Sequence, residues 1–259
     1  MHQAYRAALV TGASSGIGEH IARAAAADGA SLVIVARRAE RLERLATAIR
    51  VAHQVDVEVL PADLLSESGL AAVAARLTDP ARPVELLVNN AGFGIGGSFA
   101  GLTRAEAMSQ ISLNVMALVR LTHAALPAML AAGHGGVLNV SSVAGFVAPP
   151  GSAVYSATKA FVTSFSESLH GEVAARGVHV TALCPGFTRT EFHDGQGEPS
   201  GVPGFAWLDA GRVARAGLDA VAAGRALSVP GAKYQIVTGL VRLLPRRVVR
   251  YAMSPGRRR

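Results

Sequence analysis

Two side chains that can exchange a proton lie four residues apart in the segment from Tyr155 to Lys159. If the segment is helical, residues i and i+4 share one face, so the Lys159 ammonium lies beside the Tyr155 phenol. A free tyrosine has a pKa of about 10, and a neighbouring cation favours the phenolate. Lys159 is one of only two lysines among the 25 basic residues. The pair predicts a general acid and base, and a solvated helix face is the alternative.

A glycine-rich turn follows the first apolar run of the chain. Residues 7–10 are predicted to form a buried strand, residues 11–18 read TGASSGIG, and an alanine-rich, helix-like run comes next. Gly12 permits a tight turn, Gly16 lets the backbone approach a pyrophosphate, and Gly18 lets the helix pack closely on the strand. The N-terminus of the helix also attracts phosphate. The spacing G-x3-G-x-G departs from the G-x-G-x-x-G fingerprint, so a glycine-rich loop without a ligand is the alternative.

Polar residues follow two further predicted strands. The sequence Asn-Asn-Ala-Gly at 89–92 follows the apolar run 86–88, and Ser141 and Ser142 follow the run 137–140. Parallel strands bring their carboxyl ends to one edge of the sheet, which is where nucleotides bind in open α/β sheets. Asn114 lies in a helix-like stretch between these strands. Together, Asn114, Ser142, Tyr155 and Lys159 form a tetrad of candidate site residues.

Together these motifs resemble the short-chain dehydrogenase/reductase family. The resemblance rests on TGASSGIG, NNAG, the strand-end Ser142, the Tyr155 and Lys159 pair, and Pro185-Gly186 after the next apolar run. It covers residues 7 to about 190. It implies an α/β fold with a doubly wound parallel sheet of Rossmann type, an NADP(H)-type cofactor, and a homodimer or homotetramer that pairs through the helices around 103–130 and 155–175.

The resemblance also implies roles for the tetrad. Tyr155 would give a proton to a carbonyl oxygen while NADPH delivers hydride to the carbonyl carbon. Ser142 would hold that oxygen by a hydrogen bond, Lys159 would bind the nicotinamide ribose, and Asn114 would anchor a water that relays protons to Lys159. Ser141 competes with Ser142 for the serine role, but the family's serine lies thirteen residues before its tyrosine, which is the position of Ser142.

The cofactor contacts that the resemblance implies come from every strand end. Asp63 follows the run 57–60 and resembles the family's adenine-contacting acid, although a helix N-cap is an alternative role for it. Thr188 is expected near the nicotinamide carboxamide. The full set is Gly12, Ser14, Ser15, Gly16, Ile17, Gly18, Arg37, Arg38, Asp63, Leu64, Asn90, Ala91, Gly92, Tyr155, Lys159, Pro185, Gly186, Phe187 and Thr188.

The end of the second predicted strand indicates which cofactor binds. Dinucleotide folds place an acid there for a ribose 2′-hydroxyl, or arginine for a 2′-phosphate. Residues 35–38 read Val-Ala-Arg-Arg and contain no acid. Arg37 and Arg38 can each bind a phosphate with two hydrogen bonds, which favours NADP(H). The alternative is that Arg38, Arg41 and Arg44 form a solvated helix face.

Length and composition fit a single α/β domain over residues 1–259. The chain is 50% hydrophobic, which argues against disorder. Continuous apolar runs alternate with helix-like segments, a pattern typical of a parallel sheet covered on both faces. These runs lie at 31–35, 55–60, 84–88, 137–140 and 178–183.

Several other classes of protein and site are not favoured. The single cysteine, Cys184, allows no internal disulfide and is expected to be a small buried residue rather than a nucleophile. The eight histidines show no metal-ligand spacing, so we expect no bound metal. We also expect no signal peptide, because the N-terminus runs straight into the first predicted strand, and no membrane span, because no charge-free apolar run reaches about 18 residues. The predicted location is cytoplasmic.

The substrate pocket is expected to be mostly apolar, which suggests a hydrophobic ketone, aldehyde, alcohol or lipid-like molecule. Core packing is the alternative for some of its expected walls, which are Phe93, Gly94, Ile95, residues 143–148 and Phe187. Residues 189–207 contain four glycines and two prolines and are expected to form a substrate lid closed by Phe192, Phe205 and Trp207. His193 could reach a substrate, although a surface histidine is the favoured interpretation.

The C-terminal segment carries the whole positive excess of the chain. Residues 221–259 contain nine Arg or Lys and no acid, whereas the other 220 residues contain 16 basic and 18 acidic residues. Within 240–259, arginines alternate with apolar residues in a basic amphipathic pattern, and Pro245 is expected to start a second short helix. The segment could cap the pocket, form a subunit interface or contact an anionic membrane, and the first two are favoured. Nucleic-acid binding is not expected.

These observations predict an NADP(H)-dependent oxidoreductase that acts on a carbonyl or alcohol group. The alternative function is a non-catalytic NADP(H)-binding sensor or interaction protein on the same fold. Such a protein would be expected to lose a member of the tetrad, and this chain keeps all four.

Overall fold

Seven parallel strands form one sheet in the computed structural model, which describes residues 4–191 and 203–253. The spatial order is β3-β2-β1-β4-β5-β6-β7. Strands β2 and β3 are thus added on one side of β1, and β4 to β7 are added on its other side. This order confirms the predicted doubly wound Rossmann-type sheet. The strands are β1 Ala7–Thr11, β2 Ser31–Ala36, β3 Val57–Pro61, β4 Leu86–Asn89, β5 Gly135–Val140, β6 Val178–Leu183 and β7 Leu227–Ser228.

The described residues also form ten α-helices. The first half of the chain contributes α1 Gly16–Ala27, α2 Ala39–His53, α3 Glu67–Leu77, α4 Arg104–Ile111 and α5 Leu118–Ala132. The second half contributes α6 Ala144–Val147, α7 Ala153–Val173, α8 Ala210–Ala222, α9 Ala232–Leu243 and α10 Arg246–Met253. A π-helical segment, Ser112–Ala117, joins α4 to α5 without a break. Pro245 directly precedes α10, as the sequence predicted.

Two buried clusters cover the two faces of the sheet. On one face, Ala8 and Val10 of β1 pack against α1, α2 and α8. On the other face, Leu9 of the same strand packs against a cluster that includes α3, α5 and α7. Successive strand residues point to opposite faces, and both faces here are covered, which explains why the strands are continuous apolar runs.

The sequence analysis missed β7, because two residues are too few to show a strand pattern. The length and apolar composition of the helix from Arg104 to Ala132 were also not predicted. By length and composition alone, that helix is long and apolar enough to cross a membrane, although it contains Arg120. In the structure its residues Leu121 and Ala125 belong to one of the two buried clusters under the sheet.

The side chain of the buried Thr11 joins the ends of the neighbouring strands β1 and β4. The Thr11 hydroxyl donates to the carbonyl oxygen of Val88 at 3.1 Å and accepts from the backbone N–H groups of Asn90 and Ala91 at 3.0 and 3.1 Å. The Asn90 amide returns the connection by donating to the carbonyl oxygens of Thr11 and Gly12. The glycine turn after β1 and the Asn-Asn-Ala-Gly turn after β4 are therefore fixed against each other.

Replacing Thr11 with valine is expected to lower the free energy of unfolding by about 1–3 kcal/mol, because the half-buried Ala91 N–H would lose this partner and the Asn90 N–H and Val88 carbonyl would keep only the bond between them. Urea denaturation measures the change. Thr78→Val is the matched control, since its hydroxyl bonds a carbonyl at an exposed helix end. An equal, small effect in both variants would contradict a joining role for Thr11.

Candidate active site

Tyr155 and Lys159 lie one turn apart on α7, at the carboxyl ends of the central strands. The Lys159 ammonium donates to the carbonyl oxygen of Val140, the last residue of β5, at 2.7 Å. It lies 5.7 Å from the centre of the Tyr155 ring. Tyr155 is hydrogen bonded to Ser142, which follows the same strand. Three members of the predicted tetrad are thus brought together where α7 crosses the end of β5.

The two neighbouring serines have different environments. Ser142 is half-buried, and its hydroxyl oxygen accepts the Ala144 N–H at 3.1 Å while it bonds Tyr155. Ser141 points into the protein, where its hydroxyl donates to the Lys159 carbonyl oxygen at 2.8 Å and lies 2.7 Å from the Thr163 hydroxyl. Ser142 is therefore positioned beside the phenol, and Ser141 attaches α7 to the sheet.

Burial shifts the pKa values of the pair in a way that the sequence did not predict. Desolvation raises the pKa of Tyr155 above 10, and its hydrogen bond to Ser142 only partly opposes that rise. Desolvation lowers the pKa of Lys159 to about 8, against the smaller opposing effect of nearby Cys184. We had expected Lys159 to lower the pKa of the phenol. Without that effect, Tyr155 is protonated at neutral pH, which suits a proton donor.

Asn114 lies in the π-helical segment between α4 and α5 and is buried. Its amide makes a double connection to Phe93: the side-chain nitrogen donates to the Phe93 carbonyl at 2.8 Å, and the side-chain oxygen accepts the Phe93 N–H at 3.0 Å. The nitrogen also donates to the Thr158 hydroxyl at 3.1 Å. Asn114 thus holds the turn after β4 against α7, and π-helical segments of this kind are frequent at functional sites.

The glycine turn after β1 is closely packed. Gly12 and Gly16 both have positive φ, at 65° and 58°, which side chains rarely adopt. A Cβ atom at Gly18 would overlap the Asn90 amide and the Gly12 carbonyl oxygen, so only glycine allows α1 to approach this closely. Ile17 packs against the core beneath the turn. These are the features expected of a turn that a pyrophosphate approaches.

An anion pocket lies beside this turn. Arg38 donates to the hydroxyl oxygen of Ser14 at 3.0 and 3.2 Å and to that of Ser15 at 2.8 Å. A carboxylate is bound at the same place: Glu191 lies 3.3 Å from Arg38 and 2.7 Å from Arg41. Arg37 is exposed. The structure therefore brings Arg38, with both serines, to the anion pocket, and it adds Arg41 and Glu191.

Asp63 and Leu64 lie in the loop after β3. Leu64 is buried, whereas Asp63 is exposed and its carboxylate accepts the Leu65 N–H at 3.0 Å. The suggestion that Asp63 caps a helix is wrong. The N-cap of α3 is Ser66, whose hydroxyl accepts from Gly69, so the Asp63 carboxylate is left at the surface.

The segment Pro185 to Thr188 follows β6 and is held by α9. A Cβ atom at Gly186 would overlap the Tyr234 ring, so the ring lies directly against the backbone. The Tyr234 hydroxyl accepts the Phe187 N–H at 3.1 Å and donates to the Ala206 carbonyl oxygen at 2.8 Å. The Thr188 hydroxyl donates to the Gly186 carbonyl oxygen. The Pro185 carbonyl oxygen accepts the N–H of Val143, next to Ser142.

The expected pocket walls surround these residues in part. Gly94 lies so close to Tyr155 that a Cβ atom there would be 2.8 Å from the phenol ring. The rings of Phe187 and Trp207 are 5.7 Å apart, and Phe205 is exposed. Phe192 and His193, which the sequence suggested for the lid, lie outside the described residues. The start of that segment crosses the glycine turn, because Thr190 would be 3.1 Å from a Cβ atom at Gly16.

Sequence reasoning missed Tyr234, Glu191, Arg41 as a contact to Glu191, and Thr158. Tyr234 is 47 residues from Phe187 in the chain, and nothing local in the sequence indicates their contact. The position of Glu191 close to the Pro-Gly-Phe-Thr motif could have identified it as a candidate site residue. Cys184 is buried, and burial raises its thiol pKa to about 11, which fits the predicted packing role. Within residues 4–191 and 203–253, no cluster of three potential metal ligands occurs.

The strand order, the glycine turn and the polar residues at the strand ends define a dinucleotide-binding α/β protein. The short chain dehydrogenase family model matches residues 6–200. Ketoacyl reductase HetN of Nostoc sp. is 35% identical over 179 residues, which are 69% of this chain and 62% of that protein. The match thus spans less than two thirds of that relative. The chain belongs to the short-chain dehydrogenase family.

Solved structures are similar over almost the whole chain. A short-chain dehydrogenase from Sphingobium yanoikuyae in complex with NADPH is 34% identical, with a TM-score of 0.83 and 98% of each chain covered. A bulky-bulky ketone specific alcohol dehydrogenase from Comamonas testosteroni is 30% identical, with a TM-score of 0.81 and coverage of 98% and 97%. A Burkholderia phymatum family member in complex with NAD is 26% identical, with a TM-score of 0.81 and 98% of each chain covered.

The lowered pKa of Lys159 predicts how stability changes with pH. The folded protein releases the Lys159 proton near pH 8, whereas the unfolded chain keeps it to about 10.5, so the stability contribution of Lys159 rises with pH and is lost as the pH falls through 8. The free energy of unfolding of the wild type, relative to Lys159→Met, is expected to rise by about 1 kcal/mol between pH 8 and 9.

Denaturant unfolding at each pH measures this difference. Lys233→Met is the matched control, because Lys233 is the other lysine of the chain and is only half-buried. The unfolded cysteine, with an ordinary pKa of 9, also titrates between pH 8 and 9, but it does so in both proteins and its effect cancels in the difference. A wild-type minus Lys159→Met difference that stays flat would contradict a depressed lysine pKa in the folded protein.

Proposed function

We propose that this protein is an NADP(H)-dependent oxidoreductase that interconverts an apolar carbonyl compound and its alcohol, with Tyr155 as the general acid and base. The observation that carries the proposal is the contact between Tyr155 and Ser142, one helical turn from the buried Lys159. These groups lie at the same edge of the sheet as the glycine turn, so a dinucleotide and a carbonyl group could meet there.

The described residues fit a nicotinamide dinucleotide. The turn at Gly12, Gly16 and Gly18 fits the pyrophosphate, because a Cβ atom at Gly12 or Gly18 would crowd Asn90 and the turn itself. Arg38 and the hydroxyls of Ser14 and Ser15 fit a 2′-phosphate, because the Glu191 carboxylate shows that Arg38 accepts an anion. The bound cofactor would supply or accept the hydride.

The remaining cofactor contacts are proposed from position. Asn90, Ala91 and Gly92 line the turn after β4, and a Cβ atom at Gly92 would be 3.6 Å from the Lys159 ammonium. A ribose is therefore proposed to lie beside Lys159 and this turn. Ile17, Arg37, Asp63, Leu64, Pro185, Gly186, Phe187 and Thr188 complete the proposed set at the other strand ends.

The tetrad has distinct proposed roles in proton transfer. Tyr155, held protonated by burial, gives its proton to the carbonyl oxygen as negative charge develops there. Ser142, already bonded to the phenol, donates a hydrogen bond to the same oxygen. Burial lowers the pKa of Lys159 to about 8, so it can restore the Tyr155 proton through ordered groups. Asn114 positions the Phe93 backbone and Thr158 around that path and could anchor a water there.

The substrate is proposed to be an apolar ketone, aldehyde or lipid-like molecule. The Gly94 backbone lies against the Tyr155 ring, and the packed rings of Phe187 and Trp207 are proposed as further pocket walls that carry no charge. The structural similarity to a bulky-ketone alcohol dehydrogenase supports this class. The lid over residues 189–207 remains a proposal.

We further propose one domain over residues 1–259, a cytoplasmic location, and a homodimer or homotetramer that pairs through the helices around 103–130 and 155–175. Exposed apolar side chains on those helices, Met108, Met116 and Phe161, support this interface. The sensor alternative has no observation in its favour, because all four tetrad residues are present.

Replacing Tyr155 with phenylalanine is expected to lower kcat by at least ~10², because general acid catalysis contributes that much, while NADPH still binds. Turnover is followed by NADPH absorbance over a panel of ketones, aldehydes, quinones and acyl thioesters. Tyr251→Phe, on the exposed α10, is the matched control. Normal turnover by the Tyr155 variant would rule out the assignment, and tight NADPH binding without turnover of any compound by the wild type would favour the sensor.

The anion pocket predicts cofactor preference. Arg38→Ala is expected to weaken NADPH binding by about tenfold or more and to leave NADH binding unchanged, because it removes charged hydrogen bonds to the 2′-phosphate. Glu191→Gln is expected to tighten NADPH binding, since the competing carboxylate charge is lost. Calorimetric titration with both cofactors measures these changes.

The variant Arg37→Ala tests which of the two neighbouring arginines contacts the 2′-phosphate, because the sequence alone does not distinguish them. If only Arg38 lies in the pocket, the Arg37 variant keeps its preference for NADPH. Equal losses for NADPH and NADH in the Arg38 variant would contradict a 2′-phosphate site at this position.

A further inference from the structure

Helix α9 turns its apolar side outward. The side chains that face the protein are Tyr234, against Gly186, and Thr238, which is buried. The opposite face presents Ile236, Leu240 and Leu243, which are 63%, 55% and 84% exposed. These residues recur at i, i+4 and i+7 and therefore form one stripe. A surface helix normally buries such a stripe, so this face is built to contact something apolar.

The stripe belongs to a larger surface, which we call the α9–α10 face. It continues into α10 through Leu244, Val248 and Tyr251, all of which are exposed. At the other end, Phe205 is exposed beneath the Lys233 ammonium, which lies 5.5 Å from the centre of its ring. Exposed apolar side chains thus recur along the chain from the start of α9 into α10, and neither helix contains an acidic residue.

All charged residues of α9 and α10 themselves are positive. Arg246 and Arg247 are exposed at the start of α10, and residues 221–259 contain no acid. Arg242 has a different role, because it bonds Glu167 at 3.0 Å and lies over the Phe146 ring, which anchors α9 to the protein. Apolar residues flanked by arginine and lysine are the pattern of helices that lie in the headgroup region of a membrane.

A second copy of this chain fits the face less well. A two-fold interface places the same surface of both copies in contact, and neither α9 nor α10 of the second copy has an acid to pair with Arg246 and Arg247. An anionic lipid surface has no such conflict, since its phosphates attract the arginines while its acyl chains receive the leucines. The sequence favoured pocket capping or a subunit interface, and the exposure of Leu240 and Leu243 argues against capping.

We propose that the α9–α10 face docks on the surface of an anionic lipid bilayer, with Ile236, Leu240 and Leu243 among the acyl chains and Arg246 and Arg247 at the phosphates. The proposal does not depend on catalysis. If the proposed function also holds, an apolar substrate could reach the site from the bilayer, because Tyr234 joins α9 to the segment after β6.

Vesicle flotation of the full chain tests the proposal. The wild type is expected to float with phosphatidylcholine vesicles that contain about 30% phosphatidylglycerol and to stay behind with phosphatidylcholine alone, and added salt should release it. The variant Leu240→Ser, Leu243→Ser and the variant Arg246→Gln, Arg247→Gln are each expected to lose about tenfold in partitioning. Val51→Ser is the matched control, because Val51 is 79% exposed on α2.

All four side chains are exposed, so the variants should fold, and circular dichroism melting checks this. Size-exclusion chromatography reports the competing outcome. If the leucine variant floats like the wild type, or if the wild type floats equally with neutral vesicles, the proposal is wrong. It is also wrong if the leucine variant changes the oligomeric state without changing flotation, since that identifies a second copy as the occupant.

Discussion

The Lys159 ammonium is a charge placed inside the protein, and its hydrogen bond to the Val140 carbonyl sets the geometry around it. That bond joins α7 to the end of β5 and so brings Tyr155 beside Ser142. Ser141 strengthens the same junction by bonding the Lys159 carbonyl oxygen. Gly145 allows it, because a Cβ atom there would lie 2.9 Å from the Lys159 carbonyl carbon. Burying an amine lowers its pKa, so the junction that positions the lysine also adjusts its proton affinity.

A ladder of buried side-chain hydrogen bonds, built on two amides, links the strands and helices around this junction. Asn89 of β4 donates to the side chains of Thr122 on α5 and Asn139 on β5, and Asn139 donates to Ser166 on α7. Buried polar groups of this kind are costly unless they are paired, so the ladder favours one register of strands and helices over others. The site is therefore held in place by polar contacts within a mostly apolar core.

Much of the fold and part of the site could be predicted because their signals are local. The apolar runs identified the first six strands, and the spacing from Tyr155 to Lys159 identified the helix that carries both. The rest depends on contacts between distant segments. No pattern near Tyr234 indicates that its ring covers Gly186, and the short β7 is a strand only because β6 lies beside it. The expected lowering of the Tyr155 pKa failed for a similar reason, since the degree of burial of a phenol cannot be read from the residues around it in sequence.

Glu191 gives the arginine pocket an internal counter-ion. Its carboxylate bonds both Arg38 and Arg41 and offsets one of their two positive charges, so the attraction of the pocket for small anions is reduced. Binding of a phosphorylated dinucleotide would then be an exchange of one anion for another rather than a simple addition. A free phosphate ion, which gains no other contact, would have little advantage over a carboxylate that is already attached to the chain. Glu191, which weakens binding of the dinucleotide, would thereby also exclude most other small anions.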